Sequence, residues 1–217
     1  MEITRNTADR RTAQAYVRNS IRAGIFAGEL HAGDRLVQAE IARQLDVSTT
    51  PVREALRQLA TEGLLRLDAH HGAVVRELDP VELREIHELR QLLEPEVMRR
   101  ALDRLSDEQL DEAAELQRRM ADEPSVSGWA EMNRRFHRIF LDACGSRTLA
   151  ETVANLQDRY AAHIVSSMAR DPARRASSNA EHVTLVEAAR AGDVEAAIRT
   201  ILVHIQAPLG TDQAGPA

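Results

Sequence analysis

Hydrophobic residues recur at every fourth position near the start of the chain and predict a first helix over residues 8–27. The inward positions of this helix are Ala13, Val17, Ile21 and Ile25. Two glycines in the next segment, GELHAGDRL, predict a turn that leads into a short extended piece. Helical spacing then returns in VQAEIARQL, where Ile41, Ala42 and Leu45 point inward on a second helix.

A third helix is predicted after a tight turn, and it begins with hydroxyl side chains. Ser48 or Thr50 can cap this helix, because a side-chain oxygen accepts a hydrogen bond from an unpaired N–H of the first turn. Pro51 is tolerated in that turn, where its missing N–H has no partner. The buried stripe of the helix consists of Val52, Leu56 and Leu59. Gly63 is expected to end it.

Two β-like runs, LLRL and AVVRE, follow the third helix and flank a turn at His70, His71 and Gly72. Short runs of this kind on either side of a turn predict a β-hairpin. Three helices followed by a hairpin is the element order of a winged helix-turn-helix.

Thr49, Arg53 and Arg57 share the face of the third helix that lies opposite its buried stripe. A recognition helix needs such a face, because Arg can fork onto guanine and Thr can reach a phosphate or a thymine methyl. The solvated face of an ordinary surface helix could carry the same residues. The preceding helix, the tight turn and the following hairpin favour the recognition helix.

The pattern from residue 79 onward is wholly helical. The predicted helices cover residues 79–103, 106–121, 127–143, 147–169, 174–190 and 193–207. The predicted fold class is mostly α, with an N-terminal winged helix-turn-helix followed by an all-helical bundle of about six helices. The expected boundaries are residues 8–76 for the DNA-binding domain, 77–207 for the helical domain and 208–217 for a disordered tail.

Charge is distributed unevenly along the chain, whose formal net charge is −6. Residues 1–76 hold 11 Arg against 9 acidic residues, so the acidic excess lies in the remainder. An acidic total therefore does not exclude nucleic acid as a partner of the first part. The single cysteine excludes an internal disulfide framework. Because no apolar run suggests a membrane span or a signal peptide, we expect a cytoplasmic protein.

The stretch GDRLVQAEIARQLDVSTTPVREALRQLATEGLLRLDAHHGAVV resembles the DNA-binding domain of GntR-superfamily bacterial regulators. This resemblance covers more than 40 consecutive residues. It implies that Arg35 contacts the DNA backbone. The resemblance also implies that the operator is contacted by Ser48, Thr50 and Arg53. Members of the superfamily often have Arg where this chain has Thr49, so we expect its operator to differ from the common one. The wing tip, with His71 and Gly72, would enter the minor groove.

Three histidines of the predicted bundle fall on apolar helix faces: His137, His182 and His204. Asn133 lies one turn before His137. A single histidine in such a place is usually a hydrogen-bonded core residue. Three of them favour a metal site, because imidazole is the commonest metal ligand and facing helices can bring such groups together. Glu181 is adjacent to His182 and is expected to point to a different helical face.

Three segments of the bundle, ELRQLLEPE, NRRFHRIFLDACGS and EHVTLVEAARAGDVEAAIRTILVHI, resemble the FCD sensor domain of the FadR-type branch of the superfamily. Many such domains bind a divalent metal ion through an Asp, a His four residues later and two further His. The positions that match are Asn133, His137, His182 and His204. The resemblance thus implies a Zn, Ni or Mn site, in which Asn in place of Asp brings no charge and lowers the expected affinity.

Arg90 and Glu94 match an Arg and Glu pair of the family's first sensor helix, where the Arg often faces the ligand pocket. If Arg90 faces the cavity of the metal ion, the charge of the ion and the fork of the guanidinium both suit a carboxylate, so we expect a small organic acid as effector, held by the ion and Arg90. An ordinary surface salt bridge at i, i+4 spacing is the alternative.

Two functions fit these features. The first is a transcriptional regulator that binds a palindromic DNA operator as a homodimer, formed mainly by the sensor domains. The second is a metal-dependent, hydrolase-like enzyme, because an open site of three histidines can activate water. No positioned base, nucleophile motif or phosphate loop is recognisable in the sequence, and an enzyme would have no use for the winged helix. The sequence therefore favours a regulator without enzyme activity.

Overall fold

The computed structural model describes residues 7–68, 72–170 and 172–206, with side chains described for residues 12–68, 72–161 and 173–206. The chain divides into two compact units, and the boundary falls between Glu77 and Leu78. Elements of the first unit are α1 (Thr7–Phe26), β1 (Arg35–Val37), α2 (Gln38–Gln44), α3 (Thr49–Thr61), β2 (Leu65–Asp68) and β3 (Gly72–Val75).

The buried stripe of α3 organises the first unit. Val52, Leu56 and Leu59 are each at most 1% exposed, and α3 packs against α1, α2 and the sheet. Apolar residues of α1 complete this core, because Val17 and Ile25 are also almost fully buried. The helices therefore form where the apolar spacing predicts them, each with one face turned inward.

The sheet is antiparallel with strand order β1-β3-β2. Val74 pairs with Arg35 on one side and with Arg66 on the other, so the two arginines lie on the same face of the sheet. The prediction that Gly72 lies in the hairpin turn is wrong. Gly72 is the first residue of β3, and a Cβ atom there would lie 2.3 Å from the carbonyl oxygen of Leu36, so only glycine fits this close approach.

The second unit is a helical bundle. Its helices are α4 (Pro80–Leu102), α5 (Asp107–Asp122), α6 (Val126–Ala143), α7 (Arg147–Arg170), α8 (Pro172–Ala191) and α9 (Val194–Gln206). Asp79 caps α4 by accepting from two backbone N–H groups, and Ser106 and Gln109 form a capping box at the start of α5. The predicted fold class is confirmed, including the six helices of the bundle.

Packing in the bundle places several helices around one interior. α4 packs against α6, α7 and α9, and α8 packs against α5 and α9. The largest fully buried side chains of this interior include Trp129, Phe136, Phe140 and Tyr160. In the part of the chain that the structure describes, no helix has the length and hydropathy needed to cross a lipid bilayer.

Candidate metal centre and nucleic-acid interface

α3 and its N-cap residue present a polar, exposed surface. The exposed residues are Ser48, Thr49, Thr50, Arg53 and Arg57. Of the two predicted caps, Ser48 occupies the N-cap position and Thr50 lies in the first turn. The Ser48 side chain makes no capping hydrogen bond, so its hydroxyl is available to a partner. This exposed face opposite a buried stripe is what a recognition helix requires.

Arg35 begins β1, and its side chain is 56% exposed. Its Nη2 atom lies 2.8 Å from Oδ2 of Asp68, in an ion pair that spans the central strand. Such exposed pairs contribute little to stability, so Arg35 can exchange Asp68 for a phosphate at small cost. The predicted minor-groove contact at His71 lies outside the described residues, and Gly72 is buried in the sheet ladder.

Three helices bring the predicted histidines together. His137 comes from α6, His182 from α8 and His204 from α9, and one ring nitrogen from each lies within 4.8 Å of the other two. The ring centroids are 4.8 to 5.3 Å apart. The side chain of His204 is 11% exposed, and the other two histidines are buried. The sequence-based prediction that all three point inward is thus confirmed.

Burial keeps these rings neutral. It lowers the pKa of His137 to about 4, an effect that Glu94 opposes and Arg90 reinforces. Burial, together with the neighbouring histidines and Arg174, also lowers the pKa values of His182 and His204 well below the usual range. Neutral imidazole is the form that donates a lone pair to a metal ion. At pH 7 the cluster is therefore ready to act as a ligand set.

Several polar atoms of the cluster, and one of Asn133 a helical turn before His137, are buried and lack a hydrogen-bond partner among the described residues. They are Oδ1 of Asn133, Nδ1 of His137 and both ring nitrogens of His182. Metal–nitrogen bonds of about 2.1 Å place ligand nitrogens roughly 3 to 3.5 Å apart, so small side-chain rotations would close the cluster on an ion. The three histidines therefore fit a divalent metal ion, and Asn133, one helical turn before His137, offers a further oxygen ligand.

Glu181 contacts the cluster, contrary to the sequence-based expectation. Its Oε2 atom lies 2.7 Å from Nδ1 of His204. Adjacent helix positions do point in different directions, but His204 comes from another helix and lies on the side that Glu181 faces. Glu181 also accepts hydrogen bonds from Arg174 and Ser177. The i, i+7 spacing of Arg174 and Glu181 was the signal that could have placed them on one helix face.

Arg90 and Glu94 form the predicted pair, but the pair is buried rather than on the surface. Nε of Arg90 lies 2.7 Å from Oε1 of Glu94, and the two side chains are 4% and 1% exposed. The Arg90 guanidinium lies 5.3 Å from the centre of the Tyr160 ring. Its charge lowers the pKa values of His137 and His204, so Arg90 is within electrostatic reach of the cluster.

Known proteins resemble this chain over both units. The family model described as "FCD domain" matches residues 85–207, and the one described as "Bacterial regulatory proteins, gntR family" matches residues 13–75. The Nta operon transcriptional regulator of Aminobacter aminovorans is 32% identical over 177 residues, covering 80% of this chain and 82% of that protein. A probable D-xylose utilization operon transcriptional repressor of Paenarthrobacter nicotinovorans is 30% identical, covering 96% and 92%.

A solved structure shows the same arrangement of elements. The structure described as E. coli McbR/YncC superposes with a TM-score of 0.80 at 25% identity, covering 89% of this chain and 93% of that one. The matched families and relatives are regulators of transcription, which does not favour the hydrolase alternative. The chain belongs to the GntR family of bacterial regulatory proteins, with an FCD domain as its second unit, and is a transcriptional regulator.

Proposed function

We propose that this regulator binds a palindromic DNA operator as a homodimer and that a divalent metal ion and a small organic acid, both bound in the FCD domain, control the binding. The observation that carries the sensory part is the cluster of three neutral histidines, in which both ring nitrogens of His182 and Nδ1 of His137 are buried without a hydrogen-bond partner among the described residues. A buried polar atom without a partner is costly, and a metal ion would satisfy several of them together.

On the DNA side, the exposed face of α3 would enter the major groove. Arg53 is exposed and has no ion pair among the described residues, so its guanidinium can fork onto a guanine. The hydroxyls of Ser48, Thr49 and Thr50 would donate hydrogen bonds to phosphates, and the methyl group of Thr49 or Thr50 would contact a thymine methyl. Arg35 would contact the phosphate backbone of the DNA. A single winged helix buries too little surface to bind an operator tightly, so a dimer would bind two half-sites at once.

In the FCD domain, Asn133, His137, His182 and His204 would hold the metal ion. Three nitrogens and one amide oxygen suit Zn, Ni or Mn. The ion would supply a fixed positive charge to which an anion can bind. None of these four ligands carries a negative charge, so the full +2 charge of the ion would remain for the effector.

The charges around the cluster indicate what kind of acid fits. Arg90 is paired with Glu94 and Arg174 with Glu181, so the charges of these four side chains, each at most 12% exposed, sum to zero. A divalent ion would leave a net charge of +2 in a buried site. An effector with two negative charges would neutralise it, with one carboxylate on the ion and Arg90 near the same or a second group. We therefore expect a dicarboxylate to bind more tightly than a monocarboxylate of similar size.

Calorimetric titrations test this function. Succinate and butyrate would be titrated into metal-loaded protein, metal-stripped protein and the His182→Ala variant. Succinate should bind the loaded wild-type protein at least tenfold more tightly than butyrate does, and it should lose this advantage in the other two samples. Equal succinate affinity in all three samples would separate the acid from the metal ion and refute the proposed control.

A further inference from the structure

A chain of polar contacts links the start of α8 to the end of α9 through one carboxylate. Oε2 of Glu181 lies 2.7 Å from Nδ1 of His204, and Oε1 accepts from Nη1 of Arg174 at 3.3 Å and from Oγ of Ser177 at 2.9 Å. Nη2 of Arg174 donates to the backbone carbonyl of His204 at 3.3 Å. The side chains of Arg174, Glu181 and His204 are only 9 to 12% exposed.

These contacts determine which nitrogen of His204 carries the proton. A carboxylate can only accept a hydrogen bond, so the neutral ring must place its proton on Nδ1. The lone pair is then on Nε2. We infer that Glu181 is a positioning residue that fixes His204 in the tautomer that binds metal through Nε2, and that Arg174 holds Glu181 in place. This inference rests on the proposed metal site.

Arg174 is needed because the carboxylate is nearly buried. An unpaired Glu181 would be costly to keep in this place, and the guanidinium neutralises it. Because Arg174 also bonds the carbonyl of His204, one side chain anchors both the backbone of the ligand residue and its hydrogen-bond partner. His137 and His182 have no comparable acceptor on Nδ1 among the described residues. His204 is therefore the ligand that the protein orients before metal arrives.

The tautomer can be measured without any metal. Histidine ring ¹⁵N shifts of the metal-stripped full-length protein at pH 7.5 distinguish a proton on Nδ1 from one on Nε2. We expect Nδ1–H for His204 in the wild-type protein and in Glu187→Ala, a matched control with an exposed glutamate on the same helix. In Glu181→Ala we expect the proton to move to Nε2 or to exchange between both nitrogens. A wild-type His204 protonated on Nε2 would overturn the inference.

Metal affinity gives the second measurement. In Zn²⁺ competition with a chelating dye, Glu181→Gln should bind about 10- to 100-fold more weakly than Glu187→Ala. Arg174→Met should show a loss of similar size. Glu181→Gln keeps the shape of the side chain, so it tests the carboxylate even where the alanine variant folds poorly. Equal affinities in Glu181→Gln and Glu187→Ala would overturn the inference. A wild-type protein that binds no metal would instead refute the proposed site, while the ¹⁵N measurement would still report on the tautomer.

An independent observation concerns the first unit. An open groove of about 720 Å³ runs between the last turns of α3 and the edge strand β2, and three arginines line it: Arg57, Arg66 and Arg76. No acidic residue is among its lining residues. Arg57 and Arg66 are exposed, and neither has an ion pair in the described part of the chain.

The groove continues two surfaces that face DNA in the proposed complex. Arg57 follows Arg53 by one turn on the exposed face of α3, and Arg66 shares a sheet face with Arg35. Three arginines in a groove whose lining includes no acidic residue fit a polyanion, and the adjoining recognition helix restricts the choice to nucleic acid. We propose that the phosphate backbone of duplex DNA, flanking the bases read by α3, occupies this groove.

Salt dependence tests the groove without knowledge of the operator. Binding of a random-sequence 30-base-pair duplex would be measured between 50 and 200 mM salt for the wild type, Arg57→Gln, Arg66→Gln and Arg199→Gln. Arg199 is an exposed arginine of α9, so its variant makes the same charge change in the other unit.

Each lost phosphate contact should make the slope of log K against log salt about 0.9 less steep. Raising the salt from 50 to 200 mM should therefore weaken binding of each groove variant by a factor about 3.5-fold smaller than the factor for the wild type. Slopes equal to that of Arg199→Gln would overturn the groove as a backbone site. Such a result would leave the proposed operator binding intact if Arg53→Ala still weakened binding to a selected site.

Discussion

Two sets of arginines, one in each unit, have opposite roles. On the first unit Arg53, Arg57 and Arg66 are exposed and have no ion pair in the part of the chain that is described. In the FCD domain Arg90 and Arg174 are at least nine-tenths buried, and each is paired with a glutamate. The guanidinium groups of the first set are therefore available to a binding partner from solution, whereas those of the second set bind a fixed partner within the protein.

This difference follows from solvation. An exposed arginine keeps its water and can exchange it for phosphate or guanine, so its effect shows in binding and not in stability. A buried arginine has already lost its water, so its pairing shows in the folding of the unit that contains it. Substitutions that remove single charges should separate the two behaviours.

The largest effect is expected at the buried pair of α4. Arg90→Met leaves Glu94 as an uncompensated buried charge and should lower the free energy of unfolding by about 3–5 kcal/mol. The double variant Arg90→Met/Glu94→Leu should recover most of this loss, because it removes both charges together. Fluorescence of Trp129, the single tryptophan and a buried residue of the FCD domain, would follow unfolding in denaturant.

The exposed pair of Arg147 and Glu151 supplies the control for this measurement. Its side chains are 90% and 57% exposed, so Arg147→Met should change the free energy of unfolding by at most about 0.5 kcal/mol. A similar loss at both arginines would contradict the distinction between buried and exposed pairs.

Acid should destabilise the metal-stripped FCD domain. Folding depresses the pKa of His137 to about 4. Between about pH 6.5 and pH 4, His137 is therefore protonated in the unfolded chain but neutral in the folded chain. Stability is therefore complete above pH 6.5 and falls as the pH drops toward 4, by up to about 3 kcal/mol for His137 alone. Denaturant unfolding at several pH values, followed by Trp129 fluorescence, would measure this slope.

His137→Gln serves as the comparison, because glutamine does not titrate. The variant should show a shallower fall in stability between pH 6.5 and 4. A slope identical to that of the wild type would mean that His137 is not a buried neutral ring in the folded protein.

Arg53 should matter for binding alone. Arg53→Ala should weaken binding to a selected operator by about 1–3 kcal/mol if the side chain reads a base, and it should leave the free energy of unfolding unchanged. Selection from a random duplex library followed by titration of the chosen site would measure the loss. Unchanged affinity for that site would rule out α3 as the recognition helix.

The smallest effect on DNA binding is expected at Arg35, because its guanidinium already forms an ion pair with Asp68. Arg35→Ala should weaken all duplex sequences by a similar factor and reduce the salt slope by about 0.9. A loss confined to the selected operator would instead assign base reading to Arg35.

The elements could be predicted because each carries its own local signal. The apolar stripe of α3 and the position of each histidine on the inward face of its own helix depend on spacing within a single helix, and the structure bears them out. A resemblance to a known family added the ligand set and the expected role of Arg90.

What the sequence did not reveal depends on contacts between elements. Gly72 was expected in a turn, but pairing on both sides and the nearby carbonyl of Leu36 place it in the sheet. Glu181 was expected to face away, but the orientation of α9 brings His204 to it. The burial of Arg90 and Glu94 likewise depends on the helices packed around α4. It therefore cannot be predicted from the i, i+4 spacing of the two residues within α4.

His204 lies two residues before the end of α9 at Gln206. The last turn of a helix is normally the first part to fray, because its carbonyls have no partner within the helix. Here that turn carries a proposed metal ligand and a carbonyl bound by Arg174. A bound ion would therefore stabilise the last turn of α9 against local unfolding, and loss of the ion would first increase fraying of that turn. Protection of the amides of α9 from hydrogen exchange would then report metal occupancy directly.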